Sequence, residues 1–117
     1  MTIYALDHVQ IAMPPGRRGG ARLYSGVLGL TEQPKPPNLA QRGVWFTAGR
    51  LKLHLGVEPA FRPRARRIRA ARAGLDALIA RCKEAGFPPV TDEPLAGYSR
   101  VYVYDPFGNR LELMEEL

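Results

Sequence analysis

Three side chains in this 117-residue sequence could do chemistry together: His8, His54 and Glu112. The first two are the only histidines in the chain. Neutral imidazole suits zinc, iron or nickel, and a carboxylate adds charge compensation, so the trio is a competent set for a divalent ion. Three protein ligands leave positions open for water or substrate oxygens, as a catalytic centre needs. Spacing alone does not make them converge. The other reading is two partly exposed strand histidines and a solvated carboxylate. Arg100, Tyr102 and Arg110 suit an anionic or enolic substrate, or else form a solvated strand face. Trp45 suits an aromatic ligand, or else a core or interface.

The elements that must position these residues follow from periodicity. Ile3 to Ala12 alternates, with Val9 and Ile11 apolar and His8 and Gln10 polar, which predicts a strand ended by Pro14, Pro15 and Gly16. Arg18 to Leu28 carries Tyr24, Val27 and Leu28 at helical spacing, with Gly29 as the stop. The prolines between Gln33 and Pro37 predict an edge or a loop. Gly43 to Ala48 and Leu51 to Val57 read as a hairpin about Gly49-Arg50. In its second strand Leu51, Leu53 and Leu55 share one face, Lys52 and His54 the other. Leu75, Leu78, Ile79 and Cys82 mark an amphipathic helix stopped by Gly86 and Pro88. Arg100 to Tyr104 and Leu111 to Met114 alternate around the turn sequence Asp105 to Asn109. A helix between strand groups occurs twice, which predicts an α+β fold of two βαβββ units. Each sheet then rests one face on its helix. The other face carries His8, Gln10, Lys52, His54, Arg100, Tyr102, Arg110 and Glu112.

Composition bounds the alternatives. The net charge is 17 − 11 = +6. Arg62, Arg64, Arg66, Arg67, Arg69 and Arg72 account for all of it, and the remainder balances at 11 − 11 = 0. Counterion release on nucleic acid is a use for such a segment. No aromatic interleaving or groove-reading helix accompanies it, so nucleic acid is not the expected partner. No apolar run is long enough to cross a bilayer, and the first residues do not read as a signal peptide. The single cysteine, Cys82, lies in a helix's apolar stripe, consistent with a reducing cytoplasm.

Three stretches resemble the vicinal oxygen chelate superfamily, the group of glyoxalase I, the bleomycin- and fosfomycin-resistance proteins and the extradiol dioxygenases. They are Leu6-Asp7-His8-Val9-Gln10-Ile11-Ala12, Tyr24-Ser25-Gly26-Val27-Leu28-Gly29-Leu30, and Asp105-Pro106-Phe107-Gly108-Asn109-Arg110-Leu111-Glu112-Leu113. The resemblance implies two βαβββ modules forming a curved mixed sheet around a cleft, in a single domain over 1–117. Module one runs to about 58, an arginine-rich linker or degenerate strand covers about 59–73, and module two covers about 74–117. It implies that His8 and Glu112 match metal-ligand positions, with His54 near a further one. The cofactor would be a divalent ion (Zn, Ni, Mn or Fe), with Glu112 also the carboxylate that moves a proton. Lyase, isomerase, dioxygenase or thiol-transferase chemistry on vicinal oxygens fits that scheme. The alternative is a bleomycin-resistance-like protein that binds a small molecule or drug without turnover. Family habit implies a homodimer. One departure stands out: the second module's opening strand often bears another histidine, and here it reads Arg66-Arg67-Ile68-Arg69-Ala70-Ala71-Arg72. Arginine has no lone pair to offer a metal.

Overall fold

The turn Asp105–Asn109 fixes the relation between the two halves of the chain. The computed structural model describes residues 2–17, 20–39, 42–63 and 74–117, together with the backbone of 65–69. Within the turn, Asp105 Oδ1 accepts from the amides of Phe107 and Asn109 at 2.9 and 2.8 Å. Its Oδ2 accepts from the Tyr24 hydroxyl at 2.7 Å and from Asn109 Nδ2 at 2.8 Å. Asn109 Nδ2 also donates to the Ala12 carbonyl at 2.7 Å. Tyr24, Asp105 and Asn109 are all buried, so the carboxylate is compensated by four donors rather than by water. Burial first, and then the Asp105 charge, pushes the Tyr24 hydroxyl far above the ordinary phenol range. Gly108 sits in the turn at φ +87°, where a side chain would be strained.

Around this anchor stand two sheets. The first has the order β1-β4-β3-β2, with β1 at Val9–Met13, β2 at Thr31–Gln33, β3 at Val44–Ala48 and β4 at Leu51–Val57. β1 runs parallel to β4, and the other pairs are antiparallel. The second has the order β5-β7-β6, with β5 at Ala65–Arg69, β6 at Tyr98–Tyr104 and β7 at Arg110–Glu116. β5 is parallel to β7, and β6 is antiparallel to it. A π-helical turn, Arg22–Val27, follows β1, and helix α1, Leu75–Glu84, follows β5. One core joins the halves. Ile11, Phe46, Leu53 and Leu55 from the first sheet and Val101, Val103, Leu111 and Leu113 from the second pack with Leu23, Tyr24, Val27, Leu75, Leu78 and Cys82. The helices also cap one another. Arg81 Nε donates to the Val27 carbonyl at 3.3 Å, and Arg22 donates to the Ala85 carbonyl. Each guanidinium thereby satisfies a carbonyl at the end of the other helix.

The hairpin, α1 and the last two strands match the periodicity. Three elements differ. β1 begins at Val9 rather than Ile3, because Val9 pairs with Leu53 and β4 starts only at Leu51. Among the described residues no strand lies alongside the chain upstream of Asp7, and Ile3, Tyr4 and Leu6 are exposed. The first helix is shorter than Arg18–Leu28 and is π-wound, with the Leu28 amide bonded back to the Leu23 carbonyl; positions 18 and 19 lie outside the described residues. The arginine segment is a strand over Ala65–Arg69 despite its poor alternation. Its backbone pairs with β7 along its whole length. The counterpart of β2 in the second half shrinks to a bridge between Val90 and Tyr102. No helix among the described residues is long and apolar enough to cross a membrane.

Removing the anchor tests its weight. Asn109→Ala leaves the buried Ala12 carbonyl and Asp105 each one donor short and is expected to lower unfolding free energy by about 2–4 kcal/mol. Tyr24→Phe removes one donor of four and is expected to cost roughly 1–2 kcal/mol. Urea midpoints of the two variants check the order. Equal, negligible losses would rule the anchor out.

Candidate functional site

Strand register builds a row of side chains across the open face of the first sheet. Gln10 stands opposite His54, His54 opposite Trp45, and Trp45 opposite Gln33. Thr47 stands opposite Lys52 one row away. His8 precedes β1 and closes the arrangement at its edge. A cleft of about 600 Å³ lies over this face, walled on one side by Pro34, Lys35, Pro36 and Leu39.

Three rings stand in a column in the cleft. Trp45 stacks on His54 with centroids 4.3 Å apart and planes 4° from parallel. His54 stacks on His8 at 4.2 Å and 21°. The Lys35 ammonium lies 5.7 Å from the Trp45 centroid. Such spacing is what parallel rings on neighbouring strands would give, since strands lie about 4.8 Å apart. Both faces of His54 are covered, so this ring can meet a ligand only through its edge. Burial, and next the neighbouring His8, hold the His54 imidazole below its ordinary range, which keeps it neutral near pH 7. His8 is exposed, and its Nδ1 lies 2.9 Å from Asp7 Oδ2. A carboxylate only accepts, so Nδ1 carries the hydrogen and the neutral ring keeps Nε2 as an acceptor. Lys52 Nζ holds the other Asp7 oxygen at 3.1 Å. These contacts, with the His8 bond foremost, hold the Asp7 carboxyl below the usual carboxylate range.

The second sheet carries a separate polar cluster. Arg100 Nη1 donates to Glu112 Oε1 at 2.8 Å, and Nη2 donates to the Glu93 carbonyl at 2.7 Å. The Tyr102 hydroxyl donates to Asp92 Oδ2 at 2.8 Å, and the Arg110 guanidinium lies 4.5 Å from the Tyr102 ring centroid. Glu112 and Tyr102 are buried. A polar strand face was the expectation for these residues, and they are indeed on one. It is covered by the segment from Val90 to Glu93, which bonds to both Tyr102 and Arg100. Alternation reports a polar face; it does not report whether that face meets solvent.

The structure therefore brings His8, His54 and Trp45 together, and separately Arg100, Tyr102, Arg110 and Glu112. No group of three His, Cys, Asp or Glu side chains among the described residues is placed to hold a metal ion. Glu112 is paired with the part-buried Arg100 guanidinium, so turning its carboxylate to a metal would strip that cation of its partner. The segment in which the resemblance implies a further ligand reads arginine at three of the five positions 65–69. Within one chain these residues do not fit a three-ligand ion. Sequence reading passed over Asp7, Gln33, Lys35 and Thr47. The register of a short edge strand would have supplied Gln33 and Thr47. The Pro-Lys-Pro loop has no periodicity from which to place Lys35.

The position of His54 has a pH signature. Its folded-state pKa is lowered, so as pH falls below about 6.5 the unfolded chain takes up a proton that the folded chain refuses. Stability is expected to be full above that pH and to decline below it, levelling off once the folded form also titrates. Unfolding free energies at pH 7.5 and pH 5 should show the decline, and His54→Phe should reduce it. An unchanged slope in the variant would reject the assignment.

No family model and no curated protein sequence matches the chain. Solved structures do. The crystal structure of a glyoxalase family protein from Bacillus anthracis is 36% identical, covers 99% of this chain and 98% of its own, and superposes with a TM-score of 0.83. TnmS3, an antibiotic binding protein from a Streptomyces species, is 18% identical over 100% of this chain and 99% of its own, with a TM-score of 0.77. The fosfomycin resistance protein FosX from Mesorhizobium loti is 20% identical over 99% and 95%, with a TM-score of 0.71. The last two speak for the fold alone. The first, with its identity over nearly the whole chain, shows the family: this protein belongs to the glyoxalase family of the vicinal oxygen chelate superfamily.

Proposed function

We propose that this protein binds a small molecule in the cleft of the first sheet and holds it without a resident metal. The observation that carries the reading is the column of Trp45, His54 and His8 lining a cleft of about 600 Å³. That volume suits a drug-sized ligand. Gln10 and Gln33 offer amides at both ends of the row, so orientation can be fixed by neutral donors and acceptors. The commitment of Glu112 to Arg100 supports a non-catalytic role. The printed description of TnmS3 as antibiotic binding gives a precedent within the fold. A second reading, a metal-dependent lyase, isomerase or dioxygenase, draws support from the adjacency of His8 and His54. In that reading the two histidines and Glu112 would have to be brought together by a second copy or a rearrangement to hold a divalent ion, which when bound would supply Lewis-acid chemistry, with Glu112 as the carboxylate that moves a proton.

Metal analysis separates the two. After expression with added zinc, nickel, manganese and iron salts, well under one divalent ion per chain is expected, while planar compounds quench the fluorescence of Trp45, the only tryptophan. A stoichiometric ion that disappears in both His8→Ala and Glu112→Gln would establish the enzyme reading instead. The proposal also takes 1–117 as one domain that acts as a homodimer, a common state in this superfamily. Light scattering is expected to give twice the chain mass of 13.0 kDa; a monomer at micromolar concentration would refute the dimer.

A further inference from the structure

The ring column restricts the chemistry of what can lie on it. His54 has Trp45 on one face and His8 on the other, so it presents only its edge to the cleft. A C–H or N–H edge of an aromatic ring carries the positive end of the ring quadrupole, and it favours the electron-rich face of another ring laid across it. A flat aromatic ligand resting on these edges makes edge-to-face contacts, and a negatively charged substituent strengthens them by enriching its π system.

The charges around the column point the same way. Lys35 and Lys52 line the cleft against one carboxylate among its described lining residues, Asp7, a balance of 2 − 1 = +1 before the histidines are counted. Lys52 is already shared with Asp7 at 3.1 Å. Lys35 donates to the Arg42 carbonyl at 2.5 Å, and no carboxylate pairs with it among the described residues. An ammonium has three hydrogens to give, so Lys35 keeps donors for a ligand beside the Trp45 end of the column.

We infer that the ligand is an acidic planar aromatic, an arene carboxylate or acidic phenol. Its ring lies across the edges of Trp45, His54 and His8, and its anionic group is taken by Lys35. This rests on the small-molecule reading above and goes beyond it by naming the ligand class and the residue that selects it.

Four probes and one resonance test it. The Trp45 indole N–H signal is followed by NMR during titration with 2-naphthoate, 2-naphthamide, 2-naphthylmethylammonium and cyclohexanecarboxylate. Naphthoate is expected to bind most tightly, roughly tenfold or more over the neutral amide, in line with a charge-assisted hydrogen bond. The ammonium and the non-aromatic acid should be weaker still. Lys35→Gln should bring naphthoate down to the level of the amide, and Lys35→Arg should restore most of the preference. Amide or ammonium binding as well as naphthoate, or an unaffected Lys35→Gln, overturns the ligand class while leaving the small-molecule reading standing. If none of the naphthyl compounds moves the resonance, both readings fall.

Discussion

A single buried carboxylate sets the geometry on which everything else rests. Asp105 gathers four hydrogen bonds, two from its own turn, one from Tyr24 in the first half and one from Asn109, whose amide reaches on to β1. A charge out of water needs such compensation, and only one placement of the turn against the first helix and strand supplies it. The core is apolar and has little preference of its own for register. The directional bonds to Asp105 convert collapse of two similar halves into one defined pairing of them.

The fold was legible because its signals are local. The alternation of Leu51, Leu53 and Leu55 with Lys52 and His54 marks the face that bears His54, and the turn residues Asp105 to Asn109 mark the hairpin. Where the reading went astray, a partner strand decided. The stretch Ile3 to Ala12 reads as one strand, but its first residues pair with no strand among the described residues, whereas Ala65–Arg69 alternates poorly and is a strand because β7 runs beside it. Strand propensity is largely a report on surroundings, and a sequence window does not contain them.

The site was legible only in halves. Histidines and Glu112 were found on polar strand faces, but convergence depends on how two sheets meet, which no periodicity encodes. The Arg100–Glu112 pair shows the same limit in another form. Both residues alternate as solvent-facing groups would, yet Glu112 is buried and Arg100 half-buried beneath the segment that follows α1. The pair draws on the Glu93 carbonyl of that segment as well as on itself, so a polar row on a strand can mark an internal joint as readily as a binding surface.

The reciprocal caps between the helices bear on what the internal repetition means. Arg22 of the first half closes the end of α1, and Arg81 of the second half closes the end of the first helix. Each half-chain taken alone would end its helix on bare carbonyls and, for the second, leave Asp105 without Tyr24. The repeats are alike in form yet complementary in their loose ends. Water can take over at the helix ends of a lone half, but the buried bond from Tyr24 to Asp105 needs both halves, so the unit that can stand by itself is the pair.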